Sequence, residues 1–247
     1  MRNWPISELS ISTSKVQLRW PTLEDLDDLA DRGAKGVHAP DYMPFFSQWT
    51  DGDAATVAKR VVQRHWGALG TWRPDDWTLY LVVVHEGTVV GSQSIGARDF
   101  AATREVLLTS WLGYEFHGRG IGTHARASML HLAFEGLDAE QAMVVIRQDN
   151  GPSQGVCRKF GFVQDGTQIN AVRGRGSVSD RYRLDRKGWE AHRLIDVEIT
   201  GLKPGLSLFG LGSSAPVNEA AKSPAKPADA SALSGIRYLE ESDLDAD

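Results

Sequence analysis

Along residues 14–187 the apolar positions switch repeatedly between a period of two and a period near four, and each switch marks an element. Val16-Gln17-Leu18-Arg19-Trp20 alternates and predicts a strand. Thr22-Leu23-Glu24-Asp25 reads as a helix start, with Leu23, Leu26, Leu29 and Ala30 along one face before Gly33. Val57, Val61, His65 and Leu69 recur every four residues and predict a second helix closed by Gly70. Leu79–Val84 and Val89–Ile95 form a hairpin across His85-Glu86-Gly87-Thr88, and Val106–Leu112 supplies a further strand. The next helix carries Ile121, Ala125, Met129 and Leu132 on one face, widened by Leu130 and Phe134. Strand Met143–Ile146 follows, at a length that permits a right-handed crossover between parallel neighbours. Two more strands, about 162–172 and 178–184, complete the set. The expected class is α/β: a mixed, mostly antiparallel sheet of six to seven strands with helices on both faces.

Composition changes this picture at the C-terminus. With 247 residues, 41% of them hydrophobic, the chain can build one sizeable core. From about Thr200 the pattern ends. A Gly-punctuated apolar stretch, Gly201 to Gly212, leads into the Ala/Pro/Ser/Lys-rich segment Ser213 to Ser234 and an acidic end. The expectation is a folded domain over 1–199 and a disordered tail over 200–247, with Phe209 and Tyr238 as candidate docking points. The longest apolar run, Leu79–Val84, is too short to span a bilayer, and the first ten residues lack a signal-peptide core, so a cytoplasmic protein without a membrane partner is expected. The single Cys157 cannot form an internal disulfide and reads as a small buried hydrophobe. A net charge of −5 argues against nucleic acid as a partner, and Arg173, Arg175, Arg181 and Arg183 read as a solvated sheet face. Oligomeric state is left open, a homodimer included.

Candidate chemistry concentrates in His117-Gly118-Arg119-Gly120-Ile121-Gly122-Thr123, between a strand and a helix. Such a loop presents bare backbone N–H groups at a helix N-terminus, where the helix dipole favours a pyrophosphate. A Walker loop requires Gly-Lys-Ser/Thr, whereas Gly122 is followed by Thr123 and His124. A dinucleotide fingerprint requires glycine at the sixth position from Gly118, where Thr123 stands. His117, His124 and His131 recur every seven residues, which spaces them ~10 Å apart, too far to share a metal. No metal is expected.

The loop resembles the acyl-coenzyme A loop of the GCN5-related N-acetyltransferases (GNAT), Arg/Gln-x-x-Gly-x-Gly/Ala, with His117 in the Arg/Gln place. A second stretch, Asp149-Asn150-Gly151-Pro152-Ser153 followed by Arg158-Lys159-Phe160-Gly161-Phe162, is similar to the Asn-x-x-Ser…Lys-x-Gly-Phe segment of the ribosomal-protein (RimJ/RimL) branch. The resemblance covers about residues 14–187. It implies a GNAT fold whose fourth and fifth strands splay apart to admit pantetheine, and an acetyl-CoA or other acyl-CoA donor. It also implies that Gly118, Arg119, Gly120, Ile121, Gly122 and Thr123 hold the pyrophosphate. A backbone N–H within Ser110, Trp111 and Leu112 would meet the acyl carbonyl, Asn150 would orient pantetheine, and Ser153 would protonate the departing sulfur. Asn150 and Ser153 equally suit a turn and helix N-cap.

The base is the weak part of the pattern. Several family members carry Glu at the place of Leu107; here Glu105, two residues earlier on the same strand face, is the candidate, acting through water. Without a committed base an α-amine is favoured as acceptor, since ~14% of it is neutral at pH 7 against ~0.04% of a lysine amine. Aromatics in 41–49 and in Trp66 to Trp77 read either as lids over the core or as walls of the acceptor groove. The expected function is acyl transfer, acetyl or succinyl, to a peptide N-terminus, a lysine or a small amine. The alternative is a CoA-binding regulatory or scaffold module acting through its tail.

Overall fold

The structure is a computed structural model that describes residues 1–212. Its elements are β1 (Ser10–Ser12), β2 (Gln17–Arg19), α1 (Leu23–Lys35), α2 (Ala54–Gly70), β3 (Asp76–His85), β4 (Thr88–Arg98), α3 (Phe100–Thr103), β5 (Glu105–Leu112), α4 (Ile121–His131), β6 (Gln141–Arg147), α5 (Gly151–Lys159), β7 (Val163–Val172), β8 (Arg175–Asp185), α6 (Arg186–Ala191) and β9 (Glu198–Thr200). The strands form one nine-stranded sheet in the order β7-β8-β6-β5-β4-β3-β2-β1-β9. Its single parallel pairing is β5 with β6, the two strands joined through α4.

Local sequence accounts for the main helix starts. The Thr22 hydroxyl accepts the Asp25 N–H at 3.1 Å while Asp25 accepts the Thr22 N–H at 2.8 Å, closing a capping box on α1. Asp53 caps α2 through the Thr56 N–H at 2.7 Å, and Asn150 caps α5. Alternation along the strands then splits the core into two layers. Leu79, Leu81 and Val83 of β3, Val106 and Leu108 of β5 and Val144 and Ile146 of β6 join one cluster with α4 and α5. Val82, with Leu29, Ala30, Val57 and Val61, forms the other beneath α1 and α2. Helices therefore cover both faces, as the pattern predicts.

Two expectations require correction. The sheet has nine strands rather than six to seven, because β1 and β9 are three residues each with one inward-facing apolar position, too short to register as a period. Residues 200–212 belong to the folded unit, not to a disordered tail. Thr200 pairs with Ser10 on β1, Lys203–Phe209 forms a 3₁₀ helix, and Phe209 is fully buried against Trp77 with ring centroids 4.7 Å apart. The Gly-punctuated run is a core segment whose apolar residues are spaced for a 3₁₀ turn. Residues 213–247, Tyr238 among them, lie outside the described residues.

Candidate active site

Register alone opens the site. β5 pairs β6 only at Glu105↔Gln141, Val106↔Ala142 and Leu107↔Met143. Beyond Leu107, β5 follows β4 as far as Leu112, whereas β6 follows β8 as far as Arg147. The facing edges of Leu108–Leu112 and Val144–Arg147 are therefore free of each other, which leaves backbone donors and acceptors along a wedge. A cavity of about 140 Å³ occupies this wedge and reaches both faces of the sheet. Ser110, Arg126 of α4, and Asn150 and Ser153 of α5 line one side. Phe45, Trp49, Trp111, Arg64, His65 and Tyr80 line the other.

The glycine loop joins the open end of β5 to α4. Gly118 (φ 73°) and Gly120 (φ 77°) occupy the left-handed region, which lets the backbone turn tightly into α4 with no side-chain cap at Gly120. Thr123 N–H bonds the Gly120 carbonyl at 3.1 Å, and the N–H groups of Ile121 and Gly122 ahead of it are left for a ligand. His117 braces the loop rather than facing a ligand: its Nε2 donates to the Leu112 carbonyl at 3.1 Å. The Arg119 guanidinium lies over Phe116 at 5.4 Å, and the Arg119 carbonyl accepts from Lys15 Nζ at 3.1 Å. Lys15, in the β1–β2 turn, brings a cation to the loop from a distant part of the chain, where no sequence motif marks it.

Asn150 makes the helix cap, its Oδ1 accepting the Ser153 N–H at 3.3 Å, and both it and Ser153 reach the cavity. Ser110 faces α4 and accepts from Arg126 Nη2 at 3.2 Å, while Trp111 faces the opposite layer. Ile121 is fully buried and anchors α4.

Glu105 is not brought to this group. It shares a strand face with Leu107, but the wedge opens only past Leu107, so Glu105 sits at the closed end. There it is ion-paired with Arg183, which also donates to Gln141 Oε1 at 2.8 Å. The expectation of Glu105 as base is withdrawn on this geometry. Among the described residues the cavity lining contains no carboxylate. Arg181 and Arg183 pair with Asp165, and Arg173 with Asp51, so three of the four clustered arginines are neutralised in place.

The acceptor-side aromatics divide. Phe45, Trp49 and Trp111 pack in series, rings tilted and centroids 5.1 and 5.2 Å apart, and wall the cavity. Trp72 and Trp77 instead join the core around Phe209, and Trp66 is exposed. The α1–α2 loop is held over the wedge at two points. Tyr42 donates to Asp149 at 3.4 Å, and Arg173 of the β7–β8 turn grips Asp51 at 2.5 Å. Burial and Asp149 push the Tyr42 phenol up to about 12. His65 is 6% exposed and burial lowers its pKa to about 4, so its imidazole is neutral.

Sequence reasoning missed Arg126. It stands four residues from Gly122 and four from Leu130, on a stripe that is otherwise small or apolar, and a charge on such a stripe was the available signal. Cys157 is buried and its thiol pKa is raised by burial, which suits packing rather than nucleophilic attack. Among the described residues no group of three His, Cys, Asp or Glu side chains could hold a metal, and no helix is long and apolar enough to cross a membrane.

A splayed β5–β6 pair with a glycine loop at the N-terminus of the crossover helix defines an acyl-CoA site of the GNAT type. The chain belongs to that family: the Acetyltransferase (GNAT) domain model matches residues 15–163. It is 26% identical over 113 residues to Putative ribosomal N-acetyltransferase YdaF of Bacillus subtilis, covering 45% of this chain and 61% of the length of that relative. Mycobacterium smegmatis RimJ in complex with CoA-disulfide has a TM-score of 0.58 at 20% identity, over 77% of this chain and 94% of that one. The ribosomal-protein-S5-alanine acetyltransferase of Vibrio fischeri has a TM-score of 0.57 at 18% identity, over 73% and 98%. These likenesses establish a shared fold.

Proposed function

We propose that this chain transfers an acyl group, acetyl in the first instance, from acyl-CoA to a primary amine in a ternary complex, with a peptide N-terminal amine as the preferred acceptor. One observation carries the reading: a cavity lies in the gap between β5 and β6, with Ser110, Arg126, Asn150 and Ser153 on one side and the aromatic wall on the other, and the glycine loop runs from the open end of β5 into α4. Donor and acceptor can therefore enter from opposite faces and meet inside.

Bound acetyl-CoA supplies the acyl group as an activated thioester. The N–H groups of Gly118 to Gly122 and the start of α4, with Lys15 beside them, hold the pyrophosphate. The free β5 edge over Ser110 to Leu112 offers backbone N–H groups to the acyl carbonyl, a donor of the oxyanion-hole kind. Asn150 orients pantetheine, and Ser153 delivers a proton to the departing sulfur. The amine must arrive neutral, since no carboxylate in the lining can take its proton. An N-terminal amine meets that requirement far better than lysine. Two arginines in the lining, Arg64 and Arg126, further disfavour an ammonium ion there. The ribosomal acceptors in the names of the relatives agree with a peptide N-terminus, and a cytoplasmic location belongs to the same proposal.

Thiol release from acetyl-CoA, measured over peptides with free N-termini, N-blocked lysine peptides and small amines, tests the reading. Turnover is expected first on the free N-termini. Binding of CoA without turnover on any amine would overturn the enzyme and leave a CoA-binding module. Ser153→Ala is expected to lower kcat by ~10²-fold, the loss of one positioned proton donor; unchanged kcat removes Ser153 from that role.

A further inference from the structure

Among the described residues Arg126 is the one cation in the donor half of the cavity, and the fold holds it at a cost. The residue is 5% exposed. Its single hydrogen bond is Nη2 to the Ser110 hydroxyl at 3.2 Å; Nη1 is buried with no partner, and among the described residues no carboxylate pairs with the guanidinium. A buried, uncompensated charge is strongly destabilising, so such a group persists where something else answers it. The neighbouring groups do not. Gln93 Oε1, on β4 directly across from Ser110, is also unmet, but it is neutral and lies outside the cavity lining. Cys157 of α5 is close enough to feel the charge, yet burial holds it as a thiol. Arg64, His65 and Tyr80 face the cavity from the acceptor side and bring no negative charge. Asp149, beside Asn150, is taken by Arg147 at 2.6 Å and by Tyr42. The unmet charge belongs to the reaction.

Depth identifies the step. The wedge opens past Leu107 and reaches its mouth at Leu112, and Ser110 lies between, on the face that α4 covers. Arg126 reaches Ser110 from α4, and Ser153 lines the same cavity from α5. We infer that Arg126 is the electrostatic partner of the departing CoA sulfur, holding it as a thiolate. This rests on the acyl-CoA reading above. In the transfer, the amine nitrogen bonds to the acyl carbon and the carbon–sulfur bond breaks with its electron pair left on sulfur. The nitrogen gives up one proton, which passes to solvent or through Ser153 to sulfur. Arg126 meets the electron pair and exchanges no proton itself. With this charge in place, the electron pair is met as it develops, before Ser153 passes on its proton, which suits a site without an acidic side chain.

The test titrates the thiol of bound CoA in the intact chain, from the ultraviolet difference between its complexes with CoA and with dethio-CoA, so that Cys157 cancels. The thiol is expected to titrate at least about one unit below that of free CoA, the effect of an opposite charge within ~4–6 Å. Arg126→Gln should return it to the free value or above while CoA still binds, Arg126→Lys should restore part of the shift, and kcat should fall ~10²-fold in Arg126→Gln with little change in KM for acetyl-CoA. An unshifted or raised thiol in the wild-type complex overturns the inference without any variant. Equal shifts in wild type and a folded Arg126→Gln also overturn it and leave Arg126 a structural partner of Ser110. Failure of the wild-type chain to bind CoA at all by calorimetry overturns the acyl-CoA reading itself, a distinct outcome.

Discussion

Single side chains in this molecule are decided by what lies within a few ångströms, and His65 illustrates how far that can move a group. It recurs at the spacing of the apolar face of α2, packs edge-on against Trp20 at 5.6 Å, and has its pKa lowered to about 4 by burial. The unfolded chain binds a proton at this position below pH ~6.5 while the folded chain cannot until about pH 4. Folded stability therefore falls as pH drops through that window, by about 3 kcal/mol, and levels off below it. His65→Leu should flatten urea-derived stability between pH 6.5 and 4; an unchanged slope would mean that His65 is protonated in the fold. Glu105 makes the opposite point. Its strand face matched expectation, but Arg183 holds it at the closed end of the wedge. Glu105→Gln should keep kcat within about threefold across pH, whereas a working base would lose ~10²–10⁴.

At the scale of elements, the site follows from where two strands stop pairing and how the next helix begins. Gly120 enters α4 at φ 77°, and an alanine there costs ~1–2 kcal/mol of strain. Relieving that strain would move the N–H groups proposed above to hold the pyrophosphate. Gly120→Ala should weaken CoA binding by about tenfold in calorimetry, with a smaller change in Tm. Gly87→Ala, at φ 76° in the β3–β4 turn with open space around it, is the control: the same strain, no loss of CoA affinity. Both glycines could be picked out in the sequence, as could seven of the strands, because period and turn chemistry are local. β1 and β9 were not, since one inward apolar side chain carries no period. The partners of the site were hidden for a related reason. Arg126 reaches Ser110 across 16 residues and Lys15 reaches Arg119 across 104, distances over which a linear pattern carries no register.

The folded unit is closed where residues 198–209 meet its N-terminal segment, and this limits where the chain can be cut. β9 adds to the sheet through β1, so residues 198–200 pair with residues 10–12. The 3₁₀ segment beyond then lays Phe209 into a ring of Trp72, Trp77 and Phe100-linked packing, and Trp72 Nε1 donates to the Leu208 carbonyl at 2.8 Å. Gly205 rests on Ile6, and Gly201 on the backbone at Glu8, so the N-terminal turn depends on the same segment. The cluster under α4 is continuous with this seam, which ties the donor half of the site to residues that composition assigned to a tail. Removing the Phe209 ring should cost ~3–5 kcal/mol, as for a large aromatic truncated in a closed core. A chain ending at residue 199 loses that ring, the Trp72 hydrogen bond and the last β1 pairing together. It should melt well below a chain ending at residue 212, and its intrinsic tryptophan emission should shift to the red as Trp72 and Trp77 meet water. If the two chains melt together, the seam contributes nothing and the domain ends near residue 199 after all. If only the shorter one fails, the boundary lies between residues 200 and 212, and the Gly-punctuated run is as much a part of the fold as the sheet.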